Sequence, residues 1–298
     1  MSLRLTLLVA AVCWCAGLLL VEGPAPGRFV QQDIFIPAHG GHTTLAITIL
    51  RPRGAGPFSA VILNHGVPFE ARERTLESSE LLLHAAAEFA RRGYAVFMPL
   101  RRGFGASGGA FAENPGTCDD ANYRRAERAA AADVLAAYQF VRRLPYVDAS
   151  HVILAGQSAG GVAALYSAAQ SPPGLRAVLA FAAGRGADAT LRGVPCAAER
   201  LAEVFDDVGR TLRVPALLYY TRNDLFFGPA ATRTWFERLK AGGAPAEYVL
   251  QPAFGANGHF VFTHRAGIEH WLPVVERFLE RHGIAFPPPA PPSPSARA

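Results

Sequence analysis

Short apolar runs alternate with longer, helix-like stretches along most of the chain. The runs that have the character of buried strands are residues 60–63, 94–98, 152–155, 177–181, 216–220 and 248–250. The helix-like stretches are residues 75–92, 123–143, 159–169, 230–241 and 268–281. Because near-continuous apolar strands that alternate with helices form parallel sheets covered on both faces, the pattern predicts an α/β fold.

Two further strands are predicted upstream, at residues 34–36 and 45–50, and their spacing is typical of a hairpin. They bring the predicted sheet to eight strands, most of them parallel. The turn between them contains His39 and His42, and we favour a polar turn over a metal site because no cysteine or carboxylate ligands accompany the histidines. In a sheet of this kind the reactive groups gather at the carboxyl ends of the strands.

The composition predicts one large domain, residues 28–286. At 298 residues, with half of them hydrophobic and 18% charged, the chain can bury a sizeable core. One interval, residues 184–213, breaks the alternation by mixing Gly, Asp and Arg with a short helical stretch at 197–208. We expect this interval to form a small cap over the site.

Both ends of the chain differ from the domain between them. An apolar run at residues 5–21 follows Arg4, which predicts a bacterial-type signal peptide at residues 1–27 and a periplasmic or secreted protein. A membrane anchor formed by residues 5–21 is the alternative, because the run is near the lower limit for spanning a bilayer. Residues 287–298 are rich in proline and are predicted to form a disordered tail.

The net charge and the cysteines indicate which kinds of binding partner and which cellular compartment to expect. The formal net charge of +5 comes from scattered arginines rather than from a block, so no nucleic-acid partner is predicted. Outside the N-terminal segment the chain has two cysteines, Cys118 and Cys196. In an oxidising compartment this even pair is a candidate disulfide, and two free, packed cysteines are the alternative.

A serine lies where the third of the six buried strands turns into a helix. The sequence there is Gly156-Gln157-Ser158-Ala159-Gly160, and a sharp strand-to-helix turn through G-x-S-x-G holds its serine exposed above the sheet. Ser158 is therefore the candidate nucleophile, and the N–H of Ala159 at the positive end of the helix is a candidate oxyanion donor. We expect Gln157 to support the pocket. The alternative is a serine that caps a helix after a Gly-rich turn.

A serine hydroxyl requires a general base and a carboxylate that orients this base. With the order Ser, acid, His along the chain, the candidates lie downstream of Ser158. His259 lies in a loop between the last strand and the last helix, and His264 is the reserve. Asp224 follows the next-to-last strand by a short turn and is the candidate acid, with Asp188 as the fallback. Turn or capping roles are the alternatives for the two leading candidates.

The loop after the first of the six strands completes the candidate oxyanion hole. It contains His65, Gly66 and Val67. We expect the Val67 N–H to be the second donor, Gly66 to allow close approach of the substrate, and His65 to support the loop.

A second loop, after the strand at 94–98, is expected to lie near the pocket. Arg102 and Ser107 are predicted to brace it, because an arginine fork can satisfy several carbonyls. Binding of a substrate carboxylate by Arg101 or Arg102 is the alternative.

These motifs together resemble the α/β-hydrolase superfamily, in particular its dienelactone-hydrolase-like and prolyl-oligopeptidase-like branch. The resemblance runs from about residue 34 to 283 and rests on Asn64-His65-Gly66, residues 99–109, the elbow ending in Gly160-Gly161, Asn223-Asp224 and Gly258-His259. Many relatives have an aspartate where this chain has Leu100, and dienelactone hydrolases use cysteine where it has Ser158. The resemblance therefore implies the chemistry of the superfamily rather than a particular substrate.

The sequence predicts an exported serine hydrolase that cleaves carboxylic esters through an acyl-enzyme, with Ser158, Asp224 and His259 as its triad. The mechanism calls for no metal or organic cofactor. The expected partner is a small-molecule ester, and a membrane is a partner only if the N-terminal segment stays uncleaved. A prolyl-oligopeptidase-type peptidase is the first alternative, ranked lower because these residues contain no long repetitive β-propeller. A non-catalytic binding protein of the same fold is the second, disfavoured because all three partners are intact.

Overall fold

The centre of the molecule is a sheet of eight strands. The computed structural model describes residues 29–187 and 193–289, so the predicted signal peptide at 1–27 and most of the predicted tail at 287–298 lie outside the described residues. The strands are β1 (Phe29–Ala38), β2 (Thr43–Pro52), β3 (Phe58–Asn64), β4 (Ala95–Pro99), β5 (Val147–Gln157), β6 (Leu175–Phe181), β7 (Ala216–Thr221) and β8 (Ala246–Gln251). Their order across the sheet is β1-β2-β4-β3-β5-β6-β7-β8, and only β2 runs antiparallel to its neighbours. The predicted hairpin and the predicted eight-stranded, mostly parallel sheet are confirmed.

The strand order reverses in the middle of the sheet, and this reversal determines where a ligand can bind. After β3 the chain moves outward to β4 and then returns past β3 to form β5. The two strands β3 and β5 are therefore neighbours, with Asn64 opposite Gly156 at their carboxyl ends. At such a switch point the loops that follow the two strands leave a crevice between them. The candidate site is expected at this edge of the sheet.

Six α-helices in the described residues cover the two faces of the sheet: α1 (Leu83–Arg91), α2 (Tyr123–Val141), α3 (Ala159–Ala168), α4 (Ala198–Thr211), α5 (Pro229–Ala241) and α6 (Ile268–Arg281). On one face α1 and α6 pack together, and Phe89 of α1 stacks on Trp271 of α6. The other four helices pack on the opposite face. This layering buries the apolar side of each helix against the sheet. No described helix combines the length and the apolar character that crossing a membrane requires.

The stretch predicted as one helix at residues 75–92 is divided. Two short 3-10 turns, Ala71–Leu76 and Ser79–Leu82, precede α1. Ser78 has extended backbone angles, and its hydroxyl oxygen accepts a hydrogen bond from the Glu80 N–H. A serine that bonds to nearby backbone in this way competes with helix formation, so the regular helix begins only at Leu83.

The interval expected to cap the site, residues 184–213, is also divided. Residues 184–187 line the cavity described below, and residues 188–192 lie outside the described part of the chain. Helix α4 is not a cap, because its apolar side is buried in the core and Phe205 stacks on Trp235 of α5 with ring centroids 5.6 Å apart. It belongs to the crossover that joins the parallel strands β6 and β7, and such a connection packs back onto the sheet.

A disulfide joins Cys118, in the loop before α2, to Cys196, just before α4, with the Cα atoms 5.3 Å apart. The pairing considered in the sequence analysis is thus present in the structure. The Cys196 N–H donates to the Gly186 carbonyl at 2.6 Å, and the Cys196 carbonyl accepts from the Tyr123 hydroxyl at 2.7 Å. Because Gly186 borders the cavity, the disulfide holds one wall of the candidate site against α2.

Replacing both cysteines, as in C118S/C196S, is expected to lower the free energy of unfolding by about 4 kcal/mol, because the bridge closes a long loop and restricts the unfolded chain. Urea unfolding followed by circular dichroism measures the difference. Wild-type protein treated with a reducing agent should behave as the variant does. Equal unfolding midpoints for oxidised and reduced protein would contradict this stabilising role.

Candidate active site

Ser158 lies in a strained turn between β5 and α3. Its backbone angles are φ 58° and ψ −128°, a region that residues other than glycine rarely adopt. Glycines on either side make the turn possible. A Cβ at Gly156 would lie 2.3 Å from the Gly160 carbonyl oxygen, and a Cβ at Gly160 would lie 2.3 Å from the carbonyl oxygens of Asn64 and His65. The start of α3 therefore presses directly against the loop that follows β3.

Asp224 and His259 are buried and in direct contact. The His259 Nδ1 atom lies 2.9 Å from Oδ2 and 3.1 Å from Oδ1 of the Asp224 carboxylate. The N–H groups of Phe226 and Phe227 donate to Oδ1 at 2.8 and 3.0 Å, so the carboxylate is held in place. Because an ionised carboxylate only accepts hydrogen bonds, Nδ1 carries the imidazole proton and Nε2 is the basic nitrogen.

Two asparagines hold together the loops that carry the candidate acid and base, and the sequence analysis did not single them out as site residues. The Asn257 side-chain oxygen accepts from the Leu225 N–H at 3.0 Å and from the His259 N–H at 3.1 Å. The Asn223 side-chain oxygen accepts from the Phe254 N–H at 2.9 Å, and its amide donates to the Gly255 carbonyl at 3.0 Å. Asparagine in a turn commonly bonds to backbone two residues on, so its place beside each candidate is a signal that could have indicated this role.

One cavity of about 390 Å³ brings Ser158 and His259 together. The other sequence-predicted residues that line it are Gly66, Val67, Gln157 and Ala159. Val67 lies in the loop that follows β3 and Ala159 is the first residue of α3, so the two flank the switch point. The Gln157 side-chain amide donates to the His259 carbonyl at 3.1 Å and so ties the elbow to the histidine loop.

His264, the reserve candidate for the base, has a capping role in the structure. His264 caps a short 3-10 turn, because its Nδ1 accepts from the Ala266 N–H at 3.2 Å, and it is not among the residues that line the cavity. Asp188 lies outside the described residues. Within residues 29–187 and 193–289, no cluster of three or more His, Cys, Asp or Glu residues could hold a metal ion.

His65 is an uncharged imidazole beneath the loop that follows β3. The Arg101 backbone N–H donates to its Nε2 at 3.1 Å, so Nδ1 carries the ring proton and donates to the Gly66 carbonyl at 2.7 Å. Burial, and then the positive charge of Arg101, lower the pKa of His65 to about 3. This side chain supports the loop and stays neutral over the physiological pH range.

Arg102 braces its loop against α2, and it is not among the residues that line the cavity. Its backbone N–H and Nε donate to the Asp133 carboxylate at 2.9 and 3.2 Å. Ser107 braces the same loop by accepting from the Ala46 N–H at 2.9 Å and donating to the Leu100 carbonyl at 2.6 Å.

Arg101 is the arginine beside the site. Its buried guanidinium donates to the His65 carbonyl at 2.8 Å and to the Gly66 carbonyl at 3.3 Å, and it forms an ion pair with Glu113. Because these acceptors occupy its donors within the protein, Arg101 is not placed to bind a substrate carboxylate.

Four buried charged side chains form a connected cluster beside the cavity: Arg101, Glu113, Arg185 and Glu127. Glu113 and Arg185 are among the residues that line the cavity. Glu113 pairs with both arginines. Burial would raise the pKa of Glu113, but the arginines outweigh burial and lower the pKa to about 2. For Glu127 burial prevails over the attraction of Arg185 and raises the pKa to about 7. Glu113, Arg185 and Glu127 were not predicted as site residues, because they come from separate segments that share no motif.

Comparisons with known proteins agree with this fold. A family model described as X-Pro dipeptidyl-peptidase (S15 family) matches residues 40–199. No curated protein matches the chain by sequence.

Three solved structures illustrate the likeness in fold. A provisionally named dienelactone hydrolase from Klebsiella pneumoniae subsp. pneumoniae MGH 78578 aligns with a TM-score of 0.60 and 18% identity, covering 85% of this chain and 100% of that one. The esterase Pf2001 from Pyrococcus furiosus gives a TM-score of 0.60 and 17% identity, with coverages of 85% and 90%. A provisionally named dipeptidyl aminopeptidase IV from Bacteroides ovatus ATCC 8483 gives 0.63 and 16%, and covers 87% of this chain but 37% of its own.

Stability should depend on pH through Glu127. Its pKa is raised from an ordinary 4.5 to about 7, so the folded protein keeps a proton that the unfolded chain has released between these values. The free energy of unfolding is therefore expected to fall by about 3 kcal/mol as the pH rises from below 4.5 to above 7. Burial also raises the pKa of Glu77 to about 7, so Glu77 contributes a loss of the same sign. Glu127→Gln, which stays uncharged, should lack the Glu127 part of the loss and keep the Glu77 part.

Urea unfolding at intervals from pH 5 to pH 8 measures both proteins. Glu280→Gln, at an exposed position on α6, is the matched control and should follow the wild type. Parallel stability curves for Glu127→Gln and wild type would show that Glu127 does not titrate in this range.

Proposed function

The chain belongs to the X-Pro dipeptidyl-peptidase (S15) family, and from that premise we propose that it is a serine hydrolase that cleaves carboxylic esters through an acyl-enzyme. The observation that carries the proposal is a buried Asp224–His259 pair that shares one cavity with Ser158 at a strained elbow. A serine hydroxyl becomes a nucleophile only with a general base within reach, and His259 lines the same cavity as Ser158. The disulfide supports an oxidising, exported location for this activity.

The proposed reaction follows the serine triad. Ser158 Oγ attacks the ester carbonyl while His259 Nε2 takes its proton, and Asp224 stabilises the imidazolium that forms. The tetrahedral oxyanion is bound by the N–H groups of Ala159 and Val67. His259 then passes the proton to the leaving alcohol, and water releases the acyl group by the same steps in reverse.

Arg101 and His65 act in this proposal as positioning residues for the oxyanion hole. The Gly66 carbonyl and the Val67 N–H belong to the same planar, trans peptide unit, so they point in opposite directions. The His65 Nδ1–H and the Arg101 guanidinium both donate to that carbonyl. Holding the carbonyl in this way also sets the direction of the N–H, with no contact between Arg101 and the substrate.

Peptide hydrolysis is the second candidate. The family model and the likeness to the Bacteroides ovatus protein favour it, because the same relay serves amides as well as esters. Release of p-nitroaniline from Xaa-Pro p-nitroanilides, with a kcat/KM comparable to that for esters, would support the peptidase over the esterase.

Ser158→Ala is expected to reduce hydrolysis of p-nitrophenyl acetate by at least about 10⁴-fold, because it removes the nucleophile. The wild type should also be labelled by a fluorophosphonate probe, and the variant should not. Ser167→Ala is the matched control, since it removes a buried serine hydroxyl of α3 that has no hydrogen-bond partner in the described structure. Full activity in Ser158→Ala would refute the assignment, and an unlabelled, inactive wild type would favour the binding-protein alternative.

The double variant R101M/E113Q is expected to lower kcat for p-nitrophenyl acetate about 100-fold and to change KM little, because the oxyanion donor loses its orientation. Removing both charges leaves Arg185 paired with Glu127, so no buried charge is left without a partner. Arg101→Lys, which retains one donor, should fall between the variant and the wild type.

Arg102→Met is the control for the double variant, because Arg102 lies next to Arg101 in the chain but binds α2. The kcat of Arg102→Met should stay within about twofold of the wild-type value. Thermal unfolding of each variant shows whether it is folded at the assay temperature. A raised KM with unchanged kcat in R101M/E113Q would mean that the cluster shapes substrate binding and does not position the oxyanion hole.

A further inference from the structure

Large apolar side chains are exposed around the mouth of the cavity. In the described residues the exposed large hydrophobic side chains are Phe35, Phe69, Leu76, Leu81, Val194 and Phe260. Three of them line the cavity: Phe69 is 49% exposed, Leu81 61% and Phe260 46%. Single exposed apolar residues are ordinary, but a group around the mouth of a cavity marks a ligand-binding surface.

An aromatic path connects this mouth to the candidate base. The Phe226 ring packs against the His259 imidazole with centroids 4.5 Å apart, and it also packs against Phe69 at 4.8 Å and Phe260 at 5.8 Å. An apolar chain attached to a reacting ester would remain in contact with carbon surface from the imidazole to the solvent. Each methylene removed from water along this path favours binding.

The charges at the cavity select against an anionic substrate. Glu73 and Glu77 line it, and because burial raises the pKa of Glu77 to about 7, Glu77 carries most of its negative charge above that pH. The Arg185 guanidinium, which also lines the cavity, is paired with Glu113 and Glu127. No arginine or lysine other than Arg185 lines the cavity in the described residues. The surroundings therefore fit an uncharged ester with an apolar substituent.

We propose that Phe69, Leu81 and Phe260 form a subsite for the apolar chain of an uncharged ester. The inference rests on the proposed function and adds the class of substrate to it. The chain belongs either to the acyl group or to the alcohol, and the same apolar chemistry serves both.

Two matched substrate series test the subsite, each below the concentration at which the ester aggregates. One compares p-nitrophenyl octanoate with the acetate, and the other compares octyl acetate with ethyl acetate. The wild type should have a kcat/KM at least about tenfold higher for the longer member of one series. The series that shows the preference identifies which half of the ester carries the chain.

Leu81→Ser should lower the ratio of kcat/KM for the longer ester to kcat/KM for the shorter ester about fivefold. The reason is that it removes exposed carbon surface at the mouth of the cavity without disturbing the core. Phe35→Ser is the matched control: Phe35 is 62% exposed on the edge strand β1 and does not line the cavity, so the ratio should not change.

The outcomes separate this inference from the function it rests on. A wild type that hydrolyses the short esters with no preference for octyl chains, or a ratio that Leu81→Ser leaves unchanged, overturns the subsite and leaves the esterase assignment intact. A wild type that hydrolyses none of the four esters overturns both.

Discussion

The contact between two backbones at the end of the central strands is the constraint on which the candidate site depends. Gly160, in the first turn of α3, lies against the carbonyl oxygens of Asn64 and His65, so closely that a Cβ there would collide with them. This approach places the elbow serine beside the loop that contains Gly66 and Val67. A larger residue would force α3 away from β3 and separate the two halves of the cavity.

The loop that follows β3 is also held by the buried charged cluster, through Arg101. Removing four ionised groups from water is costly, and a well-packed apolar cluster of similar volume is often at least as stable. The cluster of Arg101, Glu113, Arg185 and Glu127 is therefore better explained by geometry than by stability. An arginine can donate to two carbonyls and a carboxylate at once, which no apolar side chain can do, and Arg101 uses this capacity to hold the carbonyls of His65 and Gly66.

The fold alone does not decide between ester and peptide chemistry, because the same relay serves both and the similar structures carry names from both classes. Selection between substrates falls to the residues around the cavity mouth. There the structure combines the exposed rings of Phe69 and Phe260 with the carboxyl groups of Glu73 and Glu77. The proposed preference for an uncharged, apolar ester follows from this combination and not from the family name.

Much of the architecture was determined by the sequence alone, because it is recorded in local patterns. Alternating apolar runs predicted the eight strands. The elbow motif and the chain order Ser, acid, His predicted Ser158, Asp224 and His259 as the triad; in the structure Asp224 contacts His259, and Ser158 lines the same cavity as His259. Only the tertiary structure decided that Arg101 binds the carbonyls of His65 and Gly66 while Arg102 binds Asp133. It also decided that α4 packs on the face of the sheet, and that Glu113 joins two arginines from distant loops. A local pattern reports periodicity and turns, whereas the direction of a side chain and the partner of a buried charge depend on which distant segments pack against it.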